Sequence, residues 1–350
     1  MALSGNSGAF PRGGFTSADG AAMVAPTTGS DIMADAFFQP VSGMDLPRFA
    51  GIATFMRLPH VAPGHPREAD VQIGLVGLPW DGGVSNRPGP RHAPRQLRDY
   101  SSMIRAQHPV TGLRPFAAAN CADLGDVGPN PVDGGDTLAR FERYFAGLRA
   151  KGIRPLSAGG DHLCTLPVLR GLAKDAPLGL VHFDSHTDLF PPYFGGTVLT
   201  HGNPFRSAVE EGLLDPRRMI QIGIRGTMYD SADRDFASAH GIRIVTIEEF
   251  FARGIADVMA EAREIVGSAP AYLSYDIDFV DPSVAPGTGT PEWGGPNAFE
   301  AMQVVRECAG LNIVAADLVE VSPPFDPSGG TAWLGVSLMF EILCVMVAAL

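Results

Sequence analysis

In the stretch "VHFDSHTDLF", residues 181–190, Asp184, His186 and Asp188 recur at every second position just after an apolar run. Side chains two apart on extended backbone share a face, so the three can converge, as can Asp276 and Asp278 of "SYDIDF". His162 of "GGDH" completes a set of four carboxylates and two imidazoles. Buried together, such groups need compensating charge, and two divalent cations would neutralise four carboxylates. Mixed oxygen and nitrogen ligands suit Mn(II), Ni(II), Fe(II), Co(II) or Zn(II), whereas an all-oxygen Mg or Ca site has no need of histidines. One Asp-x-Asp after a strand is ordinarily a cap or loop acid; several such motifs at strand ends reverse that expectation. His182 shares the parity of Asp184 but is read as a supporting or core histidine, because metal ligands need oriented neighbours.

The elements that must position these groups are legible as an alternation. Short apolar runs such as "VQIGLVGLP", "IRPLSAGG", "LGLVHFD", "MIQIGI", "IRIVTI", "PAYLSYD" and "LNIVAADL" alternate with helix-like segments such as "APRQLRDYSSMI", "LPVLRGLAK", "NPFRSAVEEGLL", "VMAEAREIVG" and "AFEAMQVVRECA". Near-continuous apolar strands separated by helices predict an α/β fold with a mainly parallel sheet covered on both faces. The polar motifs follow the strands, at the carboxyl ends where such sheets bind ligands. Residues 1–40, rich in Gly, Ala and Ser, read as a flexible or partner-contacting arm, and residues 41–350 as one catalytic domain.

A net charge of −12 without a basic run disfavours nucleic acid and anionic membranes and suits a small cationic substrate. Cys121, Cys164, Cys308 and Cys344 are scattered and form no C-x-x-C pair, which predicts buried thiols and a cytoplasmic location. No basic region followed by an apolar run opens the chain, so a secretion signal is not expected. The apolar tail "WLGVSLMFEILCVMVAAL" is interrupted by Glu341 and is read as a buried helix, not a membrane span.

The motifs together resemble the ureohydrolase family of arginases and agmatinases, on its agmatinase-like branch. The resemblance rests on "GGDH", "DSHTD" and "SYDIDFVDPSVAPGTGTPEWGG", joined by "RPGPRHAPRQLR", "DLGDV", "THGNPFRSAVEEGLLD", "QIGIRG" and "DLVEVSPPFDPSG", from about residue 45 almost to the C-terminus. It implies a three-layer α/β/α fold, a dinuclear centre with Mn(II) by family default, and trimers or hexamers. By this resemblance His162 and Asp188 would bind one metal, His186 and Asp278 the other, and Asp184 and Asp276 would bridge. Ser185 stands where most relatives have Ala and is expected to turn away from the metals with a packing or supporting effect; Asn203 stands where agmatinase-like relatives usually have Thr. Glu320 resembles the glutamate that grips the guanidinium, and His201 the histidine that moves protons or contacts substrate.

The chemistry implied is attack of a metal-activated hydroxide on the guanidino carbon, with Asp188 delivering a proton to the leaving amine. Phe190 and the run Gly226, Thr227, Met228 occupy places where arginase-like relatives read the amino-acid end of arginine, which disfavours arginine. The loop "LFPPYFGGTVLT" offers Phe190, Tyr193, Phe194, Val198 and Leu199 as apolar pocket residues. One expectation is therefore an agmatinase-like or guanidinobutyrase-like enzyme releasing urea and an amine. The alternative is a hydrolase of free guanidine or an alkylated biguanide such as metformin, with Ni(II) in place of Mn(II) and a homologous partner subunit in a hetero-oligomer. Single-zinc deacetylase relatives of the fold and a non-catalytic subunit both fit poorly with a complete ligand set.

Overall fold

The computed structural model describes residues 35–350. Eight strands, β1 (Ile73–Gly77), β2 (Cys121–Asp126), β3 (Arg154–Ala158), β4 (Leu178–Phe183), β5 (Leu214–Ile224), β6 (Arg243–Thr246), β7 (Ala271–Asp276) and β8 (Ile313–Val319), form one sheet in the order β2-β1-β3-β8-β7-β4-β5-β6. Every pairing is parallel. Within a strand, alternate apolar residues enter two separate buried clusters: Val181 and Phe183 of β4 join one, Leu178 and Leu180 the other. Both faces are therefore core, as near-continuous apolar strands require, and helices cover each side.

β2 escapes the apolar pattern because it is an edge strand carrying Asp123 and Gly125, and its Asp123 is paired with Arg98. The arm expected over residues 1–40 lies mostly outside the described residues. Residues 35–40, in contrast, are docked: Phe38 is fully buried, Gln39 Nε2 donates to Phe116 O at 2.6 Å, and Asp35 pairs with Arg67. The terminal helix Gly330–Ala348 is long and apolar enough to cross a membrane, yet 83% of its most apolar window is buried inside the fold. Glu341 is tolerated there because it accepts hydrogen bonds from Arg306 and His108.

The four central strands, β3, β8, β7 and β4, are those followed by the polar motifs. Their register aligns a polar row across the sheet: Ser157 lies beside Asp317, Asp317 beside Ser274, Ser274 beside His182, and His182 beside Gln221. Asp276 and Asp184 stand two residues beyond Ser274 and His182, one pleat nearer the strand ends. The row is thus a polar floor beneath the predicted ligands.

Candidate active site

Asp184 to Asp188 do not continue β4 as extended strand, which corrects the expectation of simple alternation. β4 stops at Phe183, and Asp184 Oδ1 accepts from the His186 N–H at 2.6 Å, closing a side-chain turn. Asp188 then takes a left-handed φ of 52°, sparsely allowed for a non-glycine residue and typical of strained functional positions. On β7 the device recurs: Asp276 Oδ1 accepts from the Asp278 N–H at 2.8 Å at the head of a short 3-10 turn. Each turn commits one carboxylate oxygen to the backbone and leaves the other to side-chain contacts.

These second oxygens, with that of Asp188, meet His162. Its Nδ1 lies 3.1 Å from Asp184 Oδ2, 3.0 Å from Asp188 Oδ2 and 3.2 Å from Asp276 Oδ2. His186 Nδ1 lies 3.1 Å from Asp278 Oδ2 and 3.5 Å from Asp184 Oδ1. The six groups predicted as ligands are therefore brought together, all buried except the partly exposed His186. Three of their buried atoms, His162 Nδ1, Asp188 Oδ2 and Asp278 Oδ2, have no hydrogen-bond partner.

The polar floor explains which face of His162 is presented. Asp317 accepts hydroxyl hydrogen bonds from Tyr272, Thr165 and Ser274. With the Ser274 proton so committed, Ser274 Oγ accepts from His162 Nε2–H at 2.9 Å, leaving the Nδ1 lone pair toward the carboxylates. Lone pairs and carboxylate oxygens converging without a donor between them fit a cation. Burial opposes charging His162, but Asp188 and the other carboxylates outweigh it and hold its pKa well above the usual imidazole range. Burial, then Asp278 and Asp184, drive Asp276 well above the ordinary carboxylate range. Burial acts the same way on Asp184, but His182 and three histidine hydrogen bonds overcome it and hold that carboxyl well below. Divalent cations would relieve this crowding of buried negative charge.

His182 supports Asp184 and is not one of the converging ligands, although it lies close enough to be counted among them. Gln221 Nε2 donates to Thr187 O, which fixes the amide orientation, and also to His182 Nδ1 at 2.9 Å. His182 must then carry its proton on Nε2, which donates to Asp184 Oδ2 at 2.8 Å. Ser185 does not turn away: its hydroxyl donates to Asp278 Oδ1 at 2.7 Å, because the backbone has left the strand. Asn203 faces its own loop, accepting from Thr200 N and Oγ1.

Glu320 follows β8 with a φ of 62°. Its Oε1 accepts from His162 N at 3.0 Å and His201 Nδ1 at 2.9 Å, while buried Oε2 has no partner. Glu320, His201, Asp188, Asp276 and His186 line one cleft of about 580 Å³ with Phe190, Tyr193, Thr227, Met228, Tyr229, Glu292 and the loop residues Ser85, Asn86 and Arg87. Phe194, Val198 and Leu199 are exposed outside that lining, since the loop turns outward through Phe194, Gly195 and Gly196, all at positive φ. Of the five apolar pocket residues expected from sequence, the structure thus keeps Phe190 and Tyr193 at the cleft. A second cleft of about 630 Å³ lies against the β2 edge, but none of its lining residues carries a buried unpaired polar atom.

Sequence reading missed Ser85, the floor residues Ser274, Asp317 and Gln221, and Arg225, whose Nη2 donates to Asp278 O at 2.7 Å. Single polar residues inside otherwise apolar strands were the available signal for the floor.

Comparison with known proteins supplies the family. Residues 71–345 match the Arginase family. The chain belongs to the arginase family. It is a hydrolase of C–N bonds in linear amidines, on the agmatinase-like branch. It is 51% identical over 308 residues to the guanidinopropionase of Pseudomonas aeruginosa, covering 88% of this chain and 96% of the relative. It is 42% identical to the mitochondrial guanidino acid hydrolase of Homo sapiens, covering 88% and 86%. The solved structure of proclavaminate amidino hydrolase from Streptomyces clavuligerus superposes with a TM-score of 0.82 at 40% identity, covering 87% of this chain and all of that one. This family member carries the parallel α/β/α architecture read from its strand alternation.

Proposed function

We propose that this family member is a dinuclear metal-dependent amidinohydrolase that cleaves a guanidino C–N bond, releasing urea and a small amine. The observation that carries the reading is the convergence, in one cleft, of unpaired buried ligand atoms with the unpaired Glu320 Oε2. His162, Asp184, His186, Asp188, Asp276 and Asp278 would hold two divalent cations, Mn(II) by family default or Ni(II). When bound, such ions supply Lewis acidity and a water of lowered pKa. Glu320 receives the substrate: Oε1 is fixed by two donors, so Oε2 meets a guanidinium N–H by a charge-assisted hydrogen bond. Asp188 borders both the ligand cluster and the cleft, and hands a proton to the departing amine.

Short guanidino acids are the first substrates to try, given the named relatives and Arg87 as the single arginine or lysine of the cleft lining. A second reading, free guanidine or an alkylated biguanide such as metformin, is favoured by the aromatic wall. Phe190 packs 5.8 Å from Tyr193 and 6.4 Å from Tyr229, centroid to centroid. A trimer, a hexamer or a mixed oligomer with a homologous subunit would accommodate either activity. The test is metal analysis with turnover of guanidinopropionate, guanidinobutyrate, agmatine, arginine, guanidine and metformin after loading with Mn(II) or Ni(II). About two metals per chain, as the donor set demands, with urea release from one substrate is expected. Metal-loaded protein that turns over none of them overturns the reading.

A further inference from the structure

We propose that Ser85 is a positioning residue for proton movement through His201, offering the imidazole one partner for each of its protonation states. The inference rests on the amidinohydrolase reading and extends it to a residue outside the ligand set.

The loop after β1 is tied to the site at Gly83, whose N–H donates to Asp161 Oδ2 at 2.6 Å and whose carbonyl accepts from the His201 N–H at 2.9 Å. That clamp sets Ser85 against the outer ring nitrogen. Ser85 N lies 3.1 Å and Ser85 Oγ 2.7 Å from His201 Nε2, while His201 Nδ1 faces Glu320 Oε1 at 2.9 Å. In the neutral ring, the Ser85 N–H donates into the Nε2 lone pair, so the single ring proton sits on Nδ1 and is given to Glu320. In the imidazolium, Nε2 becomes a donor and the Ser85 hydroxyl accepts. Neither state requires the ring to move.

The charged groups facing His201 are Glu320 after β8, Asp188 after β4 and Asp161 after β3, and all are acidic. They favour the charged ring but do not meet Nε2, where Ser85 is the hydrogen-bond partner among the described residues. Ser85 and His201 both line the cleft. As Ser85 Oγ takes the Nε2 proton, its own hydroxyl proton passes to water in the cleft, while the departing amine is served by Asp188. One proton enters the hydroxyl and one leaves, and His201 returns to neutral.

The experiment compares the full metal-loaded chain with Ser85→Ala and Ser85→Thr, reading the His201 pKa by imidazole NMR alongside kcat, KM and metal content. Loss of the acceptor for the charged ring is expected to lower that pKa by about one unit, the scale of a hydrogen bond to a charged group. kcat should fall about tenfold with KM and metal content little changed, and Ser85→Thr should restore both. Should Ser85→Ala not fold, Ser85→Cys, a weak acceptor, reads the same shift. An unshifted pKa in the hydroxyl-deleted variant, or Ser85→Thr behaving like Ser85→Ala, overturns the proposal. The NMR shift judges Ser85 even if no guanidino compound is turned over, so failure of the parent reading is seen separately.

Discussion

The floor and the rim of the cleft are built in opposite ways. On the floor, polar residues of neighbouring central strands hold the ligand side chains above them by buried hydrogen bonds, as in Asp317–Ser274–His162 and Gln221–His182–Asp184. On the rim, the loop from Leu189 to Thr200 carries exposed Phe194, Val198 and Leu199, and nearby Met228 and Tyr229 are exposed too. A buried polar atom without a partner costs about 1–3 kcal/mol, so the floor has few alternatives, whereas apolar rim residues can be exchanged at small cost to the fold. The difference teaches that, under the proposed function, the floor would fix the class of reaction and the rim would choose among substrates.

The strongest way to break this division is Asp276→Asn. It should leave the chain folded but abolish binding of at least one metal, with activity falling by about 10³-fold or more, the loss of several kcal/mol of charge stabilisation. Metal stoichiometry and circular dichroism check it, and a fully active, fully loaded variant would refute the ligand assignment. Next comes Asp317→Asn, which touches no ligand directly. Metal affinity is expected to weaken about 10- to 100-fold through Ser274 and His162, measured by calorimetry on the stripped chain. Unchanged affinity would show that the floor is only structural. Smallest is the rim: Phe190→Ala or Tyr193→Ala should shift relative kcat/KM across the guanidino panel by about tenfold, as loss of apolar pocket contact does. Phe194→Ala and Val198→Ala should change it less than twofold by the same reasoning, because those side chains lie outside the cleft. If all four behave alike, the inner and outer parts of the rim are not distinct.

How far the sequence reached depends on the range of the interaction concerned. β4 and β7 were legible because burial on both faces leaves a nearly continuous apolar run, interrupted only by His182 and Ser274 before the strand ends, while β2 was not, since an edge strand tolerates Asp123 and Gly125. Asp184, His186, Asp188, Asp276 and Asp278 were legible because carboxylates and imidazoles seldom follow core strands without a function. Ser85 was illegible: nothing within its own segment marks it, and its partner His201 lies 116 positions along the chain. The outward turn of Phe194, Val198 and Leu199 was equally hidden, since an apolar loop reads the same whether it faces a pocket or solvent.

By itself, then, the sequence determined the α/β alternation, the identity of the candidate ligands and their placement after strands, because local periodicity and residue chemistry suffice for these. The tertiary structure decided which nitrogen of His162 and His182 carries the proton, which Glu320 oxygen is free, and which aromatic residues meet the cleft. Those outcomes depend on hydrogen bonds and contacts between strands adjacent in the sheet but distant in the chain, such as β3 with β8 and β4 with β7. No local pattern encodes them, because only parallel registration brings their polar side chains into one row.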